Sequence, residues 1–218
     1  MDRTRLEAFS DGVFAVAITL LALNIAVAGP GHGRQPVLLA ELSSHWPAFV
    51  AYVISFFTIG IIWVNHHALL RSVKAVDRTL LFLNLVLLLF VVLIPFSTAT
   101  AAEFLSKDNW DSRVAMALYA GVFVGMSLGF GGIFEWTLHS ESVYQPVPPE
   151  RRWAARIRFV GGAGVYAVAV VIALFSAYAA FALMGLVAVY YVFERTPTSP
   201  APDSPGDGAP DDDSQRDK

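Results

Sequence analysis

TLLFLNLVLLLFVVLIPFSTATA, Thr79 to Ala101, holds no charged residue and a single amide, Asn84. A helix needs about 20 predominantly apolar residues to cross the hydrocarbon of a bilayer. A run this long and this apolar therefore reads as a membrane span rather than a buried core helix. Working outward, Leu6 to Ala28 and Trp46 to Leu69 precede it, and Val114 to Leu138 follows. Ile157 to Phe193 is too long for one span and long enough for two, with its least apolar point, Ser176 to Tyr178, as the turn. The sequence thus predicts an all-α membrane protein with six transmembrane helices.

The connectors agree with that count. Gly29 to Gln35 (GPGHGRQ) is punctuated by Gly and Pro, which exclude a helix interior. Arg71 to Arg78 is a short charged hinge, and Gln145 to Pro149 contains three prolines. Residues 1–195 form the six-helix transmembrane domain on this reading. Residues 196–218 hold six Asp and five Pro, with nothing apolar to bury, and are expected to be a disordered acidic tail.

Composition narrows the function. Of 218 residues, 56% are hydrophobic and 15% charged, against about a quarter charged in a soluble domain. The net charge of −3 comes from the tail, since residues 1–195 carry 12 acidic and 13 basic groups. No basic footprint for nucleic acid remains. Cysteine is absent, which excludes disulfides, thiolate–metal sites and thiol chemistry. Neither a GxxxxGK[ST] phosphate loop nor a GxSxG elbow is present. No cofactor is expected.

Lys and Arg are counted in the loops to set orientation. With the N-terminus in the cytoplasm, twelve of them fall on the inner side, and only Arg34, Lys107 and Arg113 lie outside. Both termini are expected to be cytoplasmic. An Ala-x-Ala pattern ends at Ala28, but Asp2, Glu7 and Asp11 do not fit the positive leader of a signal peptide.

Polar groups inside spans are costly and usually paired or functional. Asp11, His66, His67, Asn84 and Glu135 are of this kind, and Ser10, Asp11, His66 and Asn84 are expected to meet in one layer. His67, Arg71 and Glu135 lie near span ends, where reaching the headgroups is the plain explanation. Adjacent histidines project about 100° apart on a helix, unlike the i, i+4 pair of a zinc site, so no metal site is expected. Gly121, Gly125 and Gly129 repeat at four-residue spacing, a pattern of close helix packing in membranes.

Along the first helix, one stripe collects Gly12, Val16, Thr19, Leu20 and Leu23, with Thr19 its polar member. Ser10 and Asp11 point away from it. Periodicity alone does not distinguish a stripe facing lipid or core from one facing a pore.

The motifs are more specific. Arg5, Phe9, Ser10 and Asp11 stand in the order Arg-x-x-x-Phe-Ser-Asp, which resembles the signature opening the first helix of the transmembrane protein 175 family of endolysosomal potassium channels and their prokaryotic relatives. Val13 to Leu23 is similar to that family's pore helix. Trp63 to His66 resembles its Trp-x-x-His, and Asn84 and the Pro95-Phe96 pair closing the third helix fit the same pattern. The resemblance covers roughly residues 1–195. It implies a homotetrameric, potassium-permeable channel of the cell membrane, without enzyme activity, whose first helices line a central pore. By the same resemblance the hydrophobic constriction falls on Val16, where relatives carry Ile or Leu. The threonine layer falls on Thr19 and the outer apolar layer on Leu23, with Leu20 between. Arg5, Phe9, Ser10, Asp11, Trp63, His66 and Asn84 are implied as the network bracing the pore helix. The partners implied are potassium ions, further copies of the chain and membrane lipid.

Two rival functions make different demands. A secondary transporter favours broken helices at the midplane and an internal repeat, whereas the first helix has no Gly or Pro between Val13 and Ala28. An intramembrane enzyme would use Asp11, His66 and Glu135 as acid and base groups.

Overall fold

The computed structural model describes residues 2–23, 25, 42–43, 45–107, 109–140, 142–144 and 149–193. The chain is all-helical there, in the order α1 (Arg3–Leu23), α2 (Trp46–Arg71), α3 (Arg78–Leu105), α4 (Trp110–His139), α5 (Pro149–Ala173) and α6 (Ala177–Phe193). The GPGHGRQ connector, the Ala-x-Ala pattern and the acidic segment 196–218 lie outside the described residues.

Helices α1 to α4 are long and apolar enough to cross a bilayer. α6 has 17 residues, and the apolar part of α5, Gly161–Ala173, is shorter still. The break between them falls at Leu174 to Ser176, slightly earlier than the expected turn, because Ser176 caps α6: its Oγ accepts from the Ala179 N–H at 3.2 Å. Tyr178 is consequently inside the helix.

Pro95 does not close α3, which runs on to Leu105. A proline removes one backbone bond, but in hydrocarbon leaving the helix would orphan many more. Just beyond it the Ser97 and Thr98 hydroxyls fold back on the Ile94 carbonyl at 3.0 and 2.7 Å.

α3 packs against α1, α2 and α4, and its contact with α4 is the most extensive in the molecule. Small residues make that contact possible. A Cβ on Gly129 would fall 2.9 Å from the Leu87 Cα, and one on Gly125 would enter the Phe90 ring. Gly121, the third member of the expected stripe, faces open space, whereas Gly132 meets the Leu83 side chain. The packing stripe is thus Gly125, Gly129 and Gly132, at the i, i+4, i+7 spacing of one helix face. Beside it, the buried Ser55 Oγ lies 2.8 Å from Thr98 Oγ1 and 2.9 Å from Tyr119 Oη, which joins α2, α3 and α4.

One end of the bundle collects the charged ties. Asp77 caps α3 by accepting from the Leu80 N–H at 2.7 Å, and its other oxygen accepts from Trp136 Nε1 on α4 at 3.1 Å. Glu135 on α4 takes a two-pronged contact from Arg156 on α5, with Arg156 Nε 2.9 Å from Oε2 and Nη2 on Oε1, and His139 Nδ1 lies 3.3 Å from Oε1. Glu135 is therefore committed to an ion pair rather than snorkelling alone.

Candidate functional site: the open face of α1 and its brace

α1 has two faces. Leu6, Ser10, Phe14, Ala17 and Leu21 are buried, at the spacing of one helical stripe, against α2 and α3. Val13 and Ile18 flank that stripe and pack on the core. The opposite face, with Gly12, Ala15, Val16, Thr19, Leu20 and Leu23, is exposed in the single chain. Val16 is 55% exposed, Leu20 39% and Leu23 76%. The Thr19 hydroxyl donates to the Val16 carbonyl at 2.8 Å. Its proton is thereby used, and the oxygen lone pairs are what it presents outward.

Behind the buried face lies a polar triad. Asn84 on α3 donates through Nδ2 to the Ser10 Oγ at 3.0 Å, and the Ser10 hydroxyl donates to the Leu6 carbonyl at 2.9 Å. The Asn84 Oδ1 lies 2.7 Å from His66 Nε2 on α2. An amide oxygen only accepts, so Nε2 carries the proton in that contact. Ser10, His66 and Asn84 are all buried, and the His66 ring also lies 5.5 Å from the Phe14 ring. One hydrogen-bonded chain therefore ties α1, α2 and α3 together.

Asp11 is not a member of the triad. It sits one position round the helix, and its Oδ1 accepts from Trp63 Nε1 at 2.8 Å in a second, more exposed link between α1 and α2. His67 turns to the Trp63 ring, 6.3 Å away, while His66 turns to Asn84, so the two histidines diverge as their helical spacing requires. The fold does not bring Arg5 or Phe9 to this group: both are exposed, Phe9 by 50%. Among the described residues no group of His, Cys, Asp or Glu is arranged to hold a metal ion.

Two features of the structure carry no signal in the sequence. The Ser55–Thr98–Tyr119 cluster consists of hydroxyls, which satisfy themselves so readily on a helix that they raise no alarm in an apolar run. The other is Arg3, which donates through Nη1 to the carbonyls of Arg71 and Val73 at 3.2 and 3.4 Å. A basic residue at the start of a first span reads only as an orientation signal.

Four helices long and apolar enough to cross a bilayer, three of them tied by a buried polar triad, define a helical membrane protein. The family described as endosomal/lysosomal potassium channel TMEM175 matches residues 5–95. The chain is 44% identical to a potassium channel of Streptomyces collinus, over 88% of this chain and 93% of that one. It is 32% identical to the endosomal/lysosomal proton channel TMEM175 of Mus musculus, over 67% of this chain but 30% of that one. The crystal structure of a lysosomal potassium-selective channel TMEM175 homolog from Chamaesiphon minutus matches with a TM-score of 0.74 at 33% identity, covering 87% of this chain and 96% of that one. The chain belongs to the TMEM175 family of ion channels.

Proposed function

We propose that this protein is a potassium-permeable channel of the cell membrane, built from four copies whose α1 helices line one central pore. The observation that carries the reading is the two-faced α1, whose buried side is fixed by the triad while Val16, Thr19, Leu20 and Leu23 are left uncovered by the rest of the subunit. A bacterial relative, similar over nearly its whole length, is named a potassium channel. Residues 1–195 form the conducting unit on this reading, α5 and α6 complete six spans, and the tail takes no part in conduction. Lipid covers the outer faces. The bundle end that gathers Arg3, Arg71, Lys74, Arg78 and Arg156 faces the cytoplasm, as an excess of basic residues requires, and both termini lie on that side.

The chemistry of the pore is that of an apolar ring. Without a TVGYG loop, no array of carbonyls replaces the ion's water shell. A ring of four Val16 side chains dewets when narrow, and it passes an ion only when part of that shell is given up. Potassium holds its water less tightly than sodium, so the ring favours it modestly. One turn outward, each Thr19 presents oxygen lone pairs, because its proton is committed to the Val16 carbonyl. Four such oxygens suit a cation and return part of the lost hydration. Asp11 and Trp63 brace the helix from the side, together with the triad.

Purified protein in a planar bilayer tests this reading. Under a potassium gradient it is expected to give unitary current steps, with a reversal potential that follows potassium rather than pH. Saturable flux without unitary steps would refute a channel, and a reversal potential following only the proton gradient would refute the choice of ion.

A further inference from the structure

The C-terminus of a helix leaves its last carbonyls without partners in the helix. At the end of α2, the N–H groups of Ser72 and Val73 turn back on Leu69 and Leu70, at 3.1 and 3.0 Å, and the Ser72 hydroxyl donates to the Leu69 carbonyl at 2.7 Å. The carbonyls of Arg71 and Val73 are met from another helix, by the Arg3 guanidinium of α1. Arg3 is also steadied from its own helix, since its Nε lies 3.6 Å from Glu7 Oε1 one turn on. A cation at the negative end of the α2 dipole is favourably placed.

The other side of this hinge is paired as well. The Lys74 N–H donates to the Ser142 carbonyl at 2.7 Å, and the Tyr144 N–H donates to the Ser72 carbonyl at 2.8 Å. Val73 and Val143 face one another in an antiparallel bridge, and both are buried. The Lys74 ammonium lies 5.5 Å from the Tyr144 ring centroid. Residues 142–144 follow α4 on the way to α5, so a strap between those helices is sewn to the hinge, and the hinge is sewn to the first turn of α1.

We propose that Arg3 is a positioning residue for the pore helix, and that it transmits the position of the 142–144 strap, through the hinge at 71–74, to the cytoplasmic end of α1. The proposal rests on the pore reading of α1. A guanidinium is a rigid fork of donors, and Nη1 reaches two carbonyls two residues apart, so a shift of the hinge draws the start of α1 with it. The triad holds α1 further along, at Ser10. The first turn beyond that anchor can therefore lean while the anchor stays fixed. Lean at the inner end shifts the balance between the open and closed arrangements of the four α1 helices, and leaves the open ring at Val16 as it is. The strap thus acts as a handle by which an event on the cytoplasmic face alters the fraction of time the pore is open.

Single-channel recording of a double-mutant cycle tests this. Arg3→Gln removes the charged fork, and Tyr144→Pro removes the N–H that donates to the Ser72 carbonyl. Each is expected to move open probability by about two- to thirty-fold, the range that such couplings span. Unitary conductance and reversal potential should stay unchanged. The double variant should move no further than the larger single one, since both cut the same linkage. Arg3→Lys keeps the charge without the fork and should recover part of the shift. Additive shifts, unchanged open probability in both single variants, or loss of the assembled channel in Arg3→Gln would each overturn the proposal. Failure of the pore reading is distinguishable, because Val16→Asn would then leave conductance unaltered, whatever Arg3 does.

Discussion

Val16→Asn is expected to raise unitary conductance and to bring the permeabilities of potassium and sodium close together. Val16 is 55% exposed on the open face of α1, where the proposed assembly of four copies would form its constriction. An amide ring stays wet, so an ion crosses it without surrendering water, and the step that separates the two ions is lost. A difference of about 1 kcal/mol in dehydration corresponds to a preference of about fivefold, which sets the scale of the loss. Ile18 supplies the control. It points about 160° from Val16 on the helix and packs on the core of its own subunit. Ile18→Asn should therefore impair folding or assembly and leave the selectivity of surviving channels as it was. Bi-ionic reversal potentials and unitary currents measure the first variant, and the yield of assembled protein measures the second.

The second large effect is expected at Asn84. This amide is fully buried and holds Ser10 on one side and His66 on the other. Asn84→Ala strands the His66 Nε2 proton and one acceptor site of Ser10, and a buried polar group left unpaired costs about 1–3 kcal/mol. The cavity left by the amide adds to that loss. Thermal unfolding in detergent should drop clearly, while channels that still assemble keep their ion preference. Asp11→Ala should cost less, because its bond to Trp63 lies in a more exposed place. A heat-stable Asn84→Ala protein with altered selectivity would put Asn84 in the permeation path instead.

Much of this architecture is legible in the sequence, because hydrocarbon tolerates few alternatives to an apolar helix. The positions of α1 to α4 follow from uninterrupted apolar runs, and the α5–α6 break follows from one polar dip, displaced slightly by the capping preference of Ser176. Pro95 reads as a terminator by local propensity, yet the membrane's demand for satisfied backbone overrides that propensity and the helix continues. The triad is half legible. Ser10, His66 and Asn84 are conspicuous in apolar runs, but only the packing angle of α1 against α2 and α3 decides that Asp11 turns to Trp63 instead of joining them. The sequence also marks Gly121, Gly125 and Gly129 as a stripe, without showing that the close approach is shifted toward Gly132. The Arg3 tie depends on where two helix ends meet in space, and no local pattern encodes that.

In the proposed pore, the open face of α1 borders the ion path. The chain contains no cysteine, so one introduced at a chosen position is the sole thiol in the protein. Silver ion, a thiol-seeking cation of roughly the size of potassium, applied to Val16→Cys channels in a bilayer should abolish the current. Applied to Ala17→Cys channels, whose added thiol faces the buried side of α1, it should leave the current intact. Block at position 17 with full current at position 16 would contradict the account.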